Sequence, residues 1–528
     1  MPKKENNSTS KVDYRLLYKK QISDYLESID VDNLTVKEAN TIMDNLFKMG
    51  DQVIPVCIEK LKDDNEELAP VLCYVLQYAE DPSVVEPLID ILLSKGMSDE
   101  IKARILGVIA EYGVDINQLP LNSILTDLDR MAANSMEKLL ADISDDIFFM
   151  TYILEDFEDF SEDMQVAYLY DLGGTNDERA VGLLEVLARL SNPVIALESV
   201  KQIGRIKHPR ALDSLIRLEK ENTEENHLKA TISREIRRLK MSGVIEQNFN
   251  YRIKCEHYKS IVSTMDGTGS RTVWFSWRHP YKKRRLCTVN ILINVEEGIK
   301  DCWSISEIGV KDFNSTLMEL KKSAEVIEDY EYGLTLLKDA LMINEIKDCP
   351  VPFSFYFWDR FFEKGDLSPE GYIIPSPEIS NASIIYEIED SDINESYRVL
   401  DYREFGDWFV SHPRVYDYAE QYMGIEEKYG GRKSGIKRLK KLNNEFIREF
   451  IIPDKKKLKR MLELSWDFLT INDSKDKADM VFKVLKTFDQ VSLFENPFIQ
   501  RITIESIKIA LNNLKKGLDL RVNPDRLY

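Results

Sequence analysis

The sequence predicts a multidomain protein: a helical array in its first half, an α+β domain with an antiparallel meander in the middle, and a helical segment at the end. Three observations predict it. An apolar pattern with helical spacing recurs at intervals of about 30 residues between Leu46 and Leu218. Beyond Met241 that period gives way to alternation. Beyond about residue 437 the helical period returns. A chain of 528 residues has room for roughly two to four domains. The expected boundaries are a disordered tail over 1–12, the array over 13–245, the α+β domain over 251–425, a linker over 426–436 and a helical domain over 437–528.

The array is read from four segments that align without gaps, beginning at Leu46, Leu76, Leu172 and Ile203. Eight residues on stand Ile54, Val84, Ala180 and Ala211; twelve on, Ile58, Leu88, Leu184 and Leu215; fifteen on, Leu61, Ile91, Leu187 and Leu218. Three residues before each start lie Met43, Cys73, Leu169 and Val200. These offsets fall on one helical face and predict core positions. Five residues on stand Asp51, Asp81, Asp177 and His208, followed in two copies by Pro82 and Pro209. Asp before Pro reads as a helix cap followed by a first-turn proline, so each unit is helix, tight turn, helix. The interval from 76 to 172 leaves room for two further copies, a degenerate one near Ile109 and a poorer one near Leu140–Leu154.

This pattern resembles HEAT-like repeats, including the short bacterial form named after phycobilisome lyases. The resemblance covers roughly residues 38–240. It implies an α-solenoid: stacked helix pairs with a continuous core and a surface used for protein binding. In one lyase branch such repeats assist attachment of a bilin, but nothing in this sequence marks a bilin pocket. The DGxG turn, the "EEGIKD" segment and the late "NPF" before a terminal helix are similar to uncharacterised extensions on other bacterial HEAT-repeat proteins.

In the middle region, strand-like "HYKSIVST", "RTVWFSWRH", "LCTVNILINV" and "CWSISEI" are joined by short polar turns, and helices are expected over 312–327 and 332–346. The first turn holds Asp266, Gly267, Thr268, Gly269 and Ser270. Asp266, Gly267, Gly269 and Ser270 are the residues that would serve a phosphate or nucleotide cofactor. A phosphate cradle needs a helix N-terminus behind it, where backbone N–H groups and the helix dipole converge. Here strand formers follow, and no lysine stands at Walker spacing. Asp-Gly-Thr-Gly is similar to the first phosphate loop of actin-like ATPases, but that loop opens its fold. The expectation is a hairpin tip, with Gly267 and Gly269 supplying positive φ.

Residues 350–362 carry seven aromatics in thirteen positions, read as core or interface, with a ligand groove at Phe355, Phe357 and Trp358 as the alternative. Residues 401–422 predict a helix, a break at Pro413 and a second helix, and His412 beside the break has no visible catalytic partner. The Gly-rich stretch 428–435 predicts a flexible connector. Three helices follow, the last with Asn496 as cap and Pro497 behind it.

Composition limits the function classes. A net charge of −20 repels phosphate over the surface as a whole, so nucleic acid is not the expected partner. The basic runs Lys282–Arg285, Lys437–Lys441 and Lys455–Arg460 would make it one if they converged. Six scattered cysteines form no CxxC pair, and Cys255 and His257 with Cys287 and Cys302 make at best an irregular zinc set, so no metal is assigned. The polar N-terminus has no signal-peptide core, and the longest apolar stretch, Ile147–Leu154, is too short for a bilayer, so a cytoplasmic setting is expected, with no membrane partner. The acidic stretch 154–163 reads as an inter-helix loop or a docking patch for a basic partner. The function expected is a non-catalytic scaffold or adaptor that binds protein partners through the repeats, with no catalytic residue and no cofactor assigned. The alternatives are a ligand-binding protein or enzyme centred on the Asp266 turn, and nucleic-acid binding through the basic runs.

Overall fold

The computed structural model of the chain describes residues 14–29, 36–94, 96–221, 227–363, 367–375 and 390–522. The 1–12 stretch, expected as a disordered tail, lies outside them. Contacts divide the chain into two compact units, Met1–Ala141 and Asp142–Tyr528, and the division falls within the stretch read as one array. The described chain is mostly helical, with one five-stranded antiparallel sheet in its middle region.

In the first unit the helices Tyr14–Glu27, Val36–Phe47, Val53–Leu61, Ala69–Tyr78, Val85–Leu92 and Asp99–Glu111 bury one apolar cluster. The second copy follows the expected pattern: Cys73, Leu76, Val84, Leu88 and Ile91 are all buried, and the Asp81 carboxylate accepts from Ser83 N. The first copy departs from it. Val53 and Cys57 take the core positions, leaving Ile54 and Ile58 half-buried. Leu61 keeps its expected core place, and Asp51 is not the N-cap: Gln52 holds that position, in the α region and without a side-chain bond.

The second unit shows the regularity more fully. Helices Glu162–Gly174 and Val181–Leu187 form one pair, Pro193–Arg205 and Pro209–Glu221 the next, and His227–Met241 follows. Asp177 caps through Arg179 N, and in the next copy His208 Nδ1 takes that role, accepting from Arg210 N at 3.2 Å. Relations between neighbouring copies repeat. Gly173, one residue past its anchor Leu172, faces Gln202, and Gly204, one past Ile203, faces Glu235. A Cβ at Gly173 would stand 2.7 Å from Gln202 Cβ, and one at Gly204 would stand 2.9 Å from Glu235 Cβ. Glycine at this position lets successive first helices close on each other. Bonds between residues 31 to 34 apart recur: Lys207 N to Asn176 Oδ1, Arg217 to Glu185, and Gln247 N to Asp213 Oδ1. In the first unit, Tyr78 Oη to Asp44 and Ser98 N to Asp64 span 34 residues. Gly243, at φ +88°, follows the last of these helices, as expected.

An ionic knot joins the helix pairs to Tyr251, Arg252 and the short 3-10 turn Asp359–Phe361. Tyr251, almost fully buried, has guanidinium groups of Arg189, Arg360, Arg217 and Arg252 at 4.4, 4.9, 5.4 and 5.8 Å from its ring centre. Its hydroxyl donates to Asp359 at 3.0 Å. Glu185 accepts from both Arg189 and Arg217; burial pushes its carboxyl up, but those bonds and charges outweigh it and hold it below the usual range. Asp359 goes the other way, for burial there exceeds the pull of Arg189 and Arg252 and raises its carboxyl to about 6.

The sheet has the order β4-β3-β2-β1-β5, with β1 (His257–Ser263), β2 (Ser270–Arg278), β3 (Arg285–Asn294), β4 (Gly298–Gly309) and β5 (Val326–Ile327). The first four strands are the expected meander, and Gly298–Asp301, read as turn, already belong to β4. Helices Val310–Ser323 and Tyr330–Lys347 follow. The aromatic run folds onto β2: Trp277 stacks on Trp358 with centroids 6.0 Å apart, and Phe275 meets Phe362 edge-on at 4.9 Å. Phe355, Phe357 and Trp358 are buried, so this run is core and not an open groove.

The helix expected after residue 401 does not form. Arg403–Phe405 is a short 3-10 turn, Tyr402 is extended, and Phe405 and Trp408 are buried together with centroids 4.8 Å apart. The next helix is Val415–Tyr429, and Lys433–Phe446 begins inside the Gly-rich stretch expected as a connector. Lys455–Ile471, Lys475–Gln490 and Pro497–Lys515 close the chain, the last capped by Asn496 Oδ1 as expected.

Candidate functional site

The Asp266 turn links two antiparallel strands, so no helix stands behind it. Its amides are already used. Asp266 Oδ1 accepts from Thr268 N at 2.9 Å, Thr268 Oγ1 at 2.7 Å and Ser270 N at 2.9 Å. The turn therefore carries its own anion where a phosphate would sit. Ser270 Oγ accepts from Asn294 Nδ2 at 2.9 Å, which ties the turn to the end of β3. Gly269 has φ +88°, as expected of a tight turn. Gly267 does not have a positive φ. It is required for another reason: a Cβ there would lie 2.1 Å from the Asp407 carbonyl oxygen. The 405–410 segment thus passes over the turn.

That crossing forms one wall of a cleft of about 240 Å³. Gly267 and Thr268 border it; Trp408, Phe409 and Phe450 give it aromatic sides; His412, Asp454 and Lys457 give it charge and polarity. Its polar groups are largely engaged. Lys457 pairs with Glu296 at 3.0 Å, His412 Nδ1 accepts from Arg414 N at 3.1 Å, and Trp408 Nε1 donates to Met265 O. Burial and the neighbouring Asp266 charge raise the Asp407 carboxyl. The cleft has shape, but among the described residues no base, nucleophile and orienting group meet in it by hydrogen bonds. A larger trough of about 690 Å³, beside residues 246–254, is walled by Arg217, Glu221, Arg252 and Tyr251, most of them members of the ionic knot.

His257, Cys287 and Cys302 lie on three different strands. Cys287 lies on β3 opposite Trp277, Cys302 lies on β4 opposite Ile291, and His257 Nε2 is 2.8 Å from Ser260 Oγ. Among the described residues no group of three or more His, Cys, Asp or Glu is placed to hold a metal ion. All six cysteines are free thiols, and burial raises Cys57 and Cys302 to about 12. Two basic runs are tied to the chain's own acids: Lys282 and Arg285 to Glu307, Lys457 to Glu296 and Arg460 to Asp339. The third, Lys437–Lys441, lies on helix Lys433–Phe446. The acidic stretch 154–163 is mostly helix end and helix start rather than loop, and burial plus the Asp156 charge raises Glu155. Among the described residues no helix is long and apolar enough to cross a membrane.

The helix pairs present a feature that the apolar columns did not flag. Two residues before the anchor, Tyr74 and Tyr170 point outward and are 39% and 50% exposed. Two residues past the anchor of the following copy stands the group that meets this position. Tyr78 donates to Asp44 at 2.9 Å in one case, and Arg205 lies over the Tyr170 ring at 5.8 Å in the other. The signal was available as a second column beside the apolar one.

No protein-family model matches the chain, and no curated protein matches it in sequence. Among solved structures, human deoxyhypusine hydroxylase in complex with glycerol is similar over 43% of this chain and 99% of its own, at 13% identity and a TM-score of 0.17. A likeness at that score carries no argument.

Proposed function

We propose that this protein is a non-catalytic interaction scaffold whose helix pairs are HEAT-like repeats stacked as an α-solenoid, working in the cytoplasm. The observation that carries the reading is the recurrence of the same contacts from copy to copy: glycine against the next first helix, and an outward side chain two before the anchor meeting one two past the next anchor. Stacked units of this kind expose a continuous ridge of side chains that the core does not need. Tyrosine on such a ridge supplies contact area at low entropic cost, which is why it concentrates at binding surfaces. The free thiols agree with a reducing setting.

The test is native co-purification with the tagged full-length chain, read by mass spectrometry. A partner in near-stoichiometric amount, lost on Tyr74→Asp or Tyr170→Asp in a chain that keeps its helical circular dichroism, supports the reading. Absence of any such partner, or capture indifferent to both substitutions, removes it. A small-ligand reading draws on one observation, the aromatic-walled cleft beside the Asp266 turn. Thermal-shift measurements with nucleotides and sugar phosphates test it; no shift with any of them ends it.

A further inference from the structure

We infer that the outward face of helix Lys433–Phe446 docks a short acidic segment of a partner protein, with lysine ammonium groups on its carboxylates and Ile436 against an apolar side chain between them. This surface lies outside the repeats. It adds to the interaction reading a second place of contact and the charge of what binds there.

The first ground is charge. Residues 428–441 hold seven Lys and Arg and no Asp or Glu, in a chain of net charge −20. Gly435, Leu442, Asn443 and Phe446 mark the buried side of the helix. Lys433, Lys437, Lys440 and Lys441 have the spacing of the opposite side, and all four are exposed. Lys441 has Glu445 at 3.6 Å, whereas Lys433, Lys437 and Lys440 pair with no carboxylate among the described residues. The other two basic runs reach Glu307, Glu296 and Asp339 of the chain itself.

The second ground is that the patch is held in place. Gly430 turns the chain at φ +50°, Gly435 N donates to Arg432 O at 2.9 Å, and a Cβ at Gly435 would stand 2.6 Å from the Gly430 carbonyl oxygen. The stretch 428–435 is therefore a tight turn into the helix. Arg438 and Lys428 lie over the Tyr429 ring at 4.7 and 5.6 Å. An ordered patch loses little conformational freedom when a partner arrives.

The third ground is size and chemistry. Lys433 and Lys437 are about 6 Å apart along the helix axis. Alternate residues of an extended chain stand about 6.6 Å apart, so carboxylates on every second residue match that interval. Ile436, 60% exposed, lies one turn from Lys433 and from Lys440 and offers an apolar contact that a phosphate backbone does not use. Glu426 and Glu427 stand before the patch and Glu445 after it. A duplex with a charge every 1.7 Å or so would run onto these carboxylates, while a segment of a few residues would not.

The experiment uses the full-length chain and a fluorescein-labelled peptide of about twelve residues, Glu alternating with Ser around one central Leu, in about 150 mM salt. Anisotropy reports binding. The comparisons are a lysine analogue, a twelve-nucleotide oligothymidine, and phosphatidylserine vesicles followed by co-sedimentation. The glutamate peptide is expected to bind more tightly than the oligonucleotide, with no binding of the lysine analogue and no retention on vesicles. Lys437→Glu/Lys440→Glu should weaken the peptide about tenfold or more, and Lys437→Arg/Lys440→Arg should hold it within about threefold. Lys207→Glu, at an exposed lysine of the repeats, should leave it unchanged. Replacing the central Leu by Ser should cost about threefold with the parent chain and nothing with Ile436→Ser. No peptide binding at about 1 mM, binding indifferent to Lys437→Glu/Lys440→Glu, or stronger binding of the oligonucleotide or the vesicles overturns the proposal. If the peptide fails while a partner still co-purifies through the repeats, the proposal alone falls and the interaction reading stands. If both fail, both fall.

Discussion

Gly173→Ala puts the stacking of the helix pairs to a direct test, because the neighbouring Gly174 supplies its control. A Cβ at Gly173 would lie 2.2 Å from Gln202 Oε1 and 2.7 Å from Gln202 Cβ. Carbon atoms not bonded to each other sit about 3.5–4.0 Å apart, so the two helices must separate by about 1 Å or the Gln202 backbone must move. Gln202 is buried and its amide donates to Glu198, so moving it also disturbs a buried hydrogen bond. Overpacking of this size costs about 1–3 kcal/mol. Alanine returns up to about 1 kcal/mol through helix propensity. The net expectation is a loss of about 1–2 kcal/mol, a factor of about five to thirty in the folding equilibrium. At Gly174 a Cβ would meet nothing within 4 Å, so the propensity gain stands alone there. Both variants change the unfolded chain in the same way, so their difference isolates the native-state clash. Urea unfolding followed by circular dichroism is the assay. With a slope of about 2 kcal/mol per molar, the Gly173→Ala midpoint should fall by about 0.5–1 M, while Gly174→Ala holds or rises. A Gly173→Ala chain as stable as Gly174→Ala would refute the close approach of these helices.

Three further outcomes are expected. Asp266→Ala leaves two amides and a hydroxyl of the turn without their acceptor and should destabilise the protein by about 1–2 kcal/mol, measured by denaturant unfolding, with inorganic phosphate restoring none of it. Asp359, with its carboxyl raised to about 6, holds its proton in the folded state at pH values where the unfolded carboxyl has lost it. Stability should therefore fall as pH rises from about 4 to about 6, by about 3 kcal/mol at most, and Asp359→Asn should flatten that fall in a pH series of unfolding midpoints. Thiol labelling at mildly alkaline pH should find Cys349 first, because burial raises Cys57, Cys73, Cys255, Cys287 and Cys302. Cys349→Ser should remove the fast phase, and its persistence would contradict the burial pattern.

What the sequence disclosed and what it hid divide along the range of the interactions. The helix pairs were legible because apolar columns and caps such as Asp81 and Asp177 act within a few residues. The meander and the Asn496–Pro497 helix start were legible for the same reason. The turn at Asp266 was read correctly as a hairpin, yet half of its glycine argument was local and half was not. Gly269 answers to its own φ, whereas Gly267 answers to the carbonyl of Asp407, far along the chain. The segment 401–409 looked helical by spacing, but burying Phe405 against Trp408 won over propensity. The four arginines around Tyr251 come from four separate stretches, and no spacing rule gathers them. Asp51 shows the limit of motif reading, since a capping residue at the expected place makes no cap when the helix starts one residue later.

The bonds spanning 31 to 34 residues have a mechanical meaning. Each copy is fastened to the next one, so load applied along Glu162–Met241 passes through a series of similar joints. In the stacking proposed above, such a series acts as a spring. Its bend is the sum of small rotations, and no single joint has to break for the whole to flex. The Arg217 to Glu185 bond is charge-assisted at both ends and its Glu185 is buried, so it is a stronger link than a neutral hydrogen bond. Under that proposal, a surface carried on the spring would adjust its curvature to a partner while every helix keeps its own hydrogen bonds.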